Sequence, residues 1–242
     1  VALGLRPLRM IKMAELRDPK ETGPHVNRVA GYAIEIYERW AKEHGVPDNE
    51  IEKTRDTLRM AAMLHDVGKV AISDLILKKP DRFTDEEYEV MKSHTILGAR
   101  LFINKQSEFD ELAQEVALNH HENWDGTGYP GHVDIETGEP VKSQDNGRAA
   151  GKRGEEIPLF GRIVSISDVY DALRSQRIYK DAWTEDDAIS EMTKLAGTKF
   201  DPELVDIFLK VLPNIKTITD KYSDEQMSAT PDPDGGLDQN LN

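Results

Sequence analysis

Cysteine is absent from the 242 residues, and with it go disulfides, thiolate zinc sites, iron–sulfur clusters and cysteine nucleophiles. Basic residues are in deficit, since 31 Lys and Arg face 45 Asp and Glu for a formal charge of −14. A chain of that sign has no surplus of cations with which to track a nucleic-acid polymer or an anionic membrane surface. Long apolar runs are missing too. No stretch approaches the ~18 residues of a membrane span, and residues 1–20 lack the apolar centre of a secretory signal. Together these absences fit a cytoplasmic protein without membrane insertion. What is present is 38% hydrophobic and 31% charged residues, the balance of a globular domain with a large solvated surface. The length lies near the upper size for one domain, and a first residue of Val reads as a fragment or processed chain.

The hydrophobic spacing is helical almost throughout. Val26, Val29, Ala30, Ala33, Ile34, Tyr37, Trp40 and Ala41 recur at three- and four-residue steps, predicting a long amphipathic helix that ends at Gly45, just before Pro47. A second helix is expected from about Glu50 to His65. Thr84-Asp85-Glu86-Glu87 is a capping-box sequence opening a third through Tyr88, Met91 and Leu97. Phe109 to His121, Leu159 to Leu173, a helix capped by Thr184 and one opened by Asp201-Pro202 complete the set, with Pro213 expected to stop the last. Residues 131–155 carry Gly, Asp and Lys without period, which marks a long loop, and residues 223–242 have the composition of a disordered tail. No strand pattern and no internal repeat occur. The expectation is an all-α fold.

Seven histidines carry most of the functional information. Glu21 and His25 stand four apart at the start of the first long helix, able to share a face. His65-Asp66 closes the second, His94 lies near the apolar side of the third, and His120-His121 ends the fourth. Asp168 sits inside the buried pattern of the Leu159 helix, where an unpaired carboxylate is expensive. Taken singly, each has a structural explanation, since a buried His is more often a hydrogen-bonded core residue than a ligand. Five of seven histidines at helix ends or apolar faces, in company with carboxylates, favour a metal cluster. Imidazole and carboxylate without thiolate suit iron, manganese, zinc or magnesium. Adjacent His65 and Asp66 can serve a site of several metals, with the carboxylate bridging two ions. Gly126, Gly128 and Tyr129-Pro130 then place a tight turn and an aromatic ring beside the paired histidines.

These residues match a known family. His65-Asp66-Val67-Gly68-Lys69 resembles the HDxGK motif of HD-domain phosphohydrolases, and His120-His121-Glu122 through Gly128-Tyr129-Pro130 resembles the motif of their HD-GYP subgroup. The likeness continues through Gly154 to Leu159, Asp168 to Leu173, Arg177, Tyr179-Lys180 and Gly197 to Pro202, covering roughly residues 20–212. It implies an HD-domain-like helical bundle with two or three divalent metals, usually iron or manganese. The implied ligands are His25, His65, Asp66, His94, His120, His121 and Asp168, with Asp66 bridging and Glu21 at the position that serves a third metal in some members. It further implies Lys69 beside the attacked phosphate, and Tyr129, Arg177, Lys180 and Asp171 among the substrate contacts. The family activity is hydrolysis of the bacterial second messenger cyclic di-GMP to linear pGpG and often onward to GMP. Metal ions ~3.5–4 Å apart can activate a bridging water at neutral pH. An upstream sensor or receiver domain, a homodimer and a diguanylate cyclase are the partners such a chain is expected to have.

The departure from the family is Gly131 to Arg153, where relatives have only a handful of residues. An insertion there can cover the site, alter substrate choice or hang free. The expected organisation is a connector helix over 1–20, a catalytic domain over 21–213 containing that insertion, and a tail over 214–242. Two other readings stand beside the phosphodiesterase: an HD-domain hydrolase of a different nucleotide, and a non-catalytic module that binds a nucleotide or a partner. The filled ligand positions favour an enzyme.

Overall fold

A computed structural model describes residues 5–17, 23–175 and 183–222. Among them the chain is helical, with isolated β-bridges and no strand longer than one, as the period predicts. The helices are α1 (Leu5–Arg17), α2 (Gly23–Glu43), α3 (Asp48–Met63), α4 (Asp74–Leu77), α5 (Asp85–Lys92), α6 (His94–Arg100), α7 (Glu108–Asn119), α8 (Leu159–Arg174), α9 (Glu185–Lys194) and α10 (Pro202–Lys221), with 3-10 turns at Val67–Ala71 and Gly154–Glu156. None is long and apolar enough to cross a membrane.

Helix α2 is the axis of the bundle. Its inward stripe buries Val26, Val29, Ala30, Tyr32, Ala33, Ile36, Tyr37 and Ala41, and it packs against α3, α8 and α10. It ends on Gly45, whose φ of 70° suits a residue without a Cβ. The Val46 amide bonds the Ala41 carbonyl at 2.9 Å and the Gly45 amide the Lys42 carbonyl at 3.2 Å, which consumes two of the free carbonyls at the helix end. Helix α7 lies between α3, α6 and α8, so the segments that carry the paired histidines and the His-Asp pair are brought together by packing alone.

Two expectations need correction. The Thr84 helix does begin with a capping box, in which Thr84 accepts from the Glu87 amide and Glu87 from the Thr84 amide. It breaks at Ser93, however, and His94 opens a separate helix, α6. Pro213 does not stop α10, which runs on to Lys221, so residues 214–221 belong to the folded bundle rather than to a tail. The amide that proline lacks costs one helical hydrogen bond. Burial of Ile215, packing of Ile218 on the core and a 2.7 Å bond between Tyr32 Oη and Thr219 Oγ1 offset that loss.

Residues 131–153, for which the sequence left three courses open, are built rather than dangling. Bridges pair Val133 with Pro140 and Ser143 with Ala149, and the His132 amide bonds the Ala150 carbonyl at 2.8 Å. Both ends are gathered by one buried carboxylate: Glu122 Oε1 accepts from the Gly131 amide at 2.6 Å and Oε2 from the Lys152 amide at 3.3 Å. Outward, Arg100 donates to the Ile135 carbonyl at 2.7 Å and Arg148 pairs with Glu89 of α5 at 3.2 Å.

Candidate metal centre

His65 and Asp66 stand in the turn between α3 and the Val67–Ala71 3-10 turn. That turn can pass under α6 because residue 68 is glycine: a Cβ there would lie 1.9 Å from the His94 carbonyl oxygen and 2.4 Å from the Gly98 amide nitrogen. His94 begins α6, His120 and His121 follow α7, His25 lies in the first turn and a half of α2, and Asp168 lies in α8. Three helices, α2, α6 and α8, and the turns that follow α3 and α7 therefore meet at one point.

Two groups of side chains result. Asp66, His94, His120 and His121 form one, and His25, His65 and Asp168 the other, with ligand atoms in each lying within 4.8 Å of one another. Asp66 joins them. Its Oδ1 is 3.0 Å from His94 Nε2 and 3.6 Å from His120 Nε2, while its Oδ2 is 3.3 Å from His65 Nε2. Asp168 Oδ1 lies 3.8 Å from His25 Nε2 and 3.9 Å from His65 Nε2.

The tautomers follow from the other ring nitrogens. Nδ1 of His65 is 2.8 Å from the Ala62 carbonyl, Nδ1 of His94 is 2.7 Å from that of Met91, and Nδ1 of His120 is 3.1 Å from those of Val116 and Ala117. A carbonyl only accepts, so each Nδ1 carries the hydrogen and each neutral ring turns an Nε2 lone pair inward. Those lone pairs face Asp66, whose buried Oδ1 has no hydrogen-bond donor. Lone pairs crowded against a carboxylate repel unless a cation stands between them, so the donor set fits a divalent metal and not a bare polar core.

The electrostatics agree. Burial would raise the Asp66 carboxyl, but the Lys69 ammonium beside it is the leading opposing charge, and the carboxyl is held well below the carboxylate range. Burial lowers His120 against the pull of Asp66, and burial, with His120 and His94 beside it, holds His121 well below the ordinary imidazole value. All three are thus kept in the deprotonated form that binds metal. The Lys69 ammonium is 2.6 Å from Asp66 Oδ2.

Beside these groups lies the Gly-Tyr-Pro turn. The Tyr129 ring stacks on His121, centroids 4.9 Å apart, and Lys92 of α5 lies 5.6 Å from its centre. Tyr129 therefore braces His121. The segment is pinned from below by α10's approach, where the Trp124 amide bonds the Lys199 carbonyl at 3.0 Å, the Asp125 amide that of Thr198 at 2.9 Å, and Lys199 Nζ bonds Asn123 Oδ1 at 3.1 Å. Asp171, expected among the substrate contacts, lies in the bundle interior. Its carboxylate is 1% exposed and is shared by His25, Arg28 and Ser175. Burial raises it, yet His25 and Arg28 bring it below its ordinary value. The expected Glu21, Arg177 and Lys180 lie outside the described residues. Arg28 is the residue that sequence reading missed, although its signal was an arginine within the inward stripe between Val26 and Val29.

With this geometry in hand, likeness to known proteins can be weighed. The HD domain family matches residues 22–173. The chain is 38% identical over 214 residues to a cyclic di-GMP phosphodiesterase of Thermotoga maritima, covering 88% of this chain and 50% of that protein. It is 37% identical over 191 residues to 3'3'-cGAMP-specific phosphodiesterase 2 of Vibrio cholerae, covering 79% of this chain and 31% of that one. The chain thus spans half the length or less of these curated relatives. Among solved structures, a cyclic GMP-AMP specific phosphodiesterase of V. cholerae, V-cGAP3, superposes with a TM-score of 0.57 at 16% identity, covering 92% of this chain and 51% of that one. That likeness bears on the fold.

Proposed function

The chain belongs to the HD domain family, and from that premise we propose that it is a metal-dependent phosphodiesterase that opens cyclic di-GMP to linear pGpG. The observation that carries the reading is the convergence of two His/Asp groups on Asp66 with the Lys69 ammonium 2.6 Å from its carboxylate. Seven donors that are neutral imidazoles or carboxylates, together with one fixed cation, suit a bound phosphodiester and not a structural metal knot. Iron or manganese is the proposed metal. His94, His120, His121 and Asp66 would hold one ion, and His25, His65, Asp168 and the second oxygen of Asp66 another. When bound, such ions neutralise phosphoryl charge and lower the pKa of a coordinated water.

The chain's own residues supply the rest. Backbone carbonyls and Asp171 fix the imidazole planes, so the donors need no rearrangement when charge develops at phosphorus. Lys69, 18% exposed, offers a localised positive charge at the rim of the centre, where a non-bridging phosphoryl oxygen can be met. A protein of net charge −14 has need of such local cations to accept an anionic substrate. Arg177 and Lys180 are proposed as further contacts to phosphate or guanine, and Glu21 as a ligand for a third metal.

A second substrate, 3'3'-cGAMP, is favoured by the relative of that name at nearly equal identity. The deciding experiment supplies cyclic di-GMP and 3'3'-cGAMP to anaerobically purified protein and measures metal on the same sample. Two or three metals per chain with pGpG formed supports the first reading, and preferential opening of 3'3'-cGAMP supports the second. A metal-loaded protein that opens neither would refute both.

A further inference from the structure

His65, His94 and His120 are oriented by carbonyl oxygens three or four residues away in their own segments. His25 is oriented differently. Its Nδ1 is 2.8 Å from Oδ2 of Asp171, a carboxylate on α8 that is 1% exposed. A buried carboxylate can turn about its own axis unless both oxygens are held, and here a guanidinium fork holds them. Arg28 Nε donates to Oδ1 at 2.7 Å and NH2 to Oδ2 at 3.0 Å. The same guanidinium reaches two more acceptors, Ser175 Oγ at 3.0 Å and the Tyr222 carbonyl at 2.8 Å. Tyr222 is the C-terminal cap of α10. The planar fork suits this task because it presents its donors in a fixed geometry, which a lysine does not.

We infer that Arg28 is a positioning residue for the His25 group of the metal centre, acting through Asp171, and that it makes the end of α10 a support of that group. The reasoning rests on the metal centre proposed above. In the Asp66 group, His94 and His120 are oriented by local backbone. In the other, His65 is held by local backbone but His25 depends on a side-chain relay spanning α2, α8 and α10, so this is the group that weakens selectively when the relay is cut. Outer partners of this kind typically change metal affinity ten- to a hundredfold.

The test is Mn²⁺ titration of the metal-free full chain, with unbound Mn²⁺ read by electron paramagnetic resonance and thermal melting followed in parallel. Removing one partner alone leaves a buried charge, so the main variant replaces both, Arg28→Met with Asp171→Leu. The variant Asp171→Asn keeps the volume but turns one acceptor oxygen into an amide donor, so it loses an arm of the Arg28 fork along with the charge. Wild type should take up Mn²⁺ at both groups. The double variant should keep one tight site and bind the other ten- to a hundredfold more weakly, as His25→Ala does, and Asp171→Asn should fall between. A merely structural role would weaken both sites alike or neither. Wild-type affinity at both sites in either folded variant, or equal loss at both, overturns the relay. Wild-type protein that takes up no Mn²⁺ overturns the metal centre itself, and shows it before any substitution is made.

Discussion

At the scale of single residues, Asp66 and Lys69 divide the work that a mutation can separate. Asp66 faces both ligand groups through its two oxygens, so Asp66→Ala should release metal from both and abolish turnover. Retention of the full metal content would remove its bridging role. Lys69 is an ammonium 2.6 Å from the Asp66 carboxylate and offers a metal no lone pair, so Lys69→Ala should keep the metals while kcat falls by about a hundred- to a thousandfold, the usual cost of one electrostatic donor. Unchanged kcat would take the ammonium out of the reaction. The members of the two His/Asp groups were legible in the sequence because a His or Asp among inward-facing apolar residues conflicts with its surroundings unless it has a task. Asp171 conflicts in the same way, and sequence alone could not say which side of His25 it stood on. That depended on Arg28, whose partner lies 143 positions away.

At the scale of elements, the capped and punctuated helices were legible, because their ends are written in local chemistry. Thr84, Ser107, Thr184 and Asp201 each accept a backbone amide at an N-terminus. Where tertiary packing overrode a local preference, the reading failed, as at Pro213. This makes the proline a cost the fold bears. It is exposed, so Pro213→Ala restores an amide without opening a cavity, and unfolding in urea should show a gain of about 1–3 kcal/mol. A loss of stability would mean that the helix needs its bend. The loop after Pro130 was illegible for the opposite reason. Its order comes from Glu122, a residue outside it, whose buried carboxylate is pushed upward in pKa by desolvation and still collects both ends.

At the scale of the whole molecule, the clustered His/Asp groups tie stability to pH. Folding holds His120 and His121 below their ordinary imidazole values through burial, so below about pH 6.5 the unfolded chain binds more protons than the folded one. Stability of the metal-free protein should therefore fall as pH drops through that region, with Asp66 and Asp171 adding a further loss toward the carboxylate range. Glu115 and Glu122, raised by burial, act with the opposite sign, toward the glutamate range. Thermal melts of metal-stripped protein between pH 7.5 and 5.5 test this, and a flat profile would refute the depressed imidazoles. The order of the ligands along the chain sets a timetable as well. Asp66, His94, His120 and His121 are all present once residue 121 has been made, whereas His25 and His65 wait for Asp168. At ribosomal speeds of ~5–20 residues per second that delay is several seconds. On the proposed reading, the Asp66 group would be complete in a chain still short of α8, and the His25 group only in one that has passed Asp168. Occupancy of the second group would then report that synthesis has passed the middle of α8.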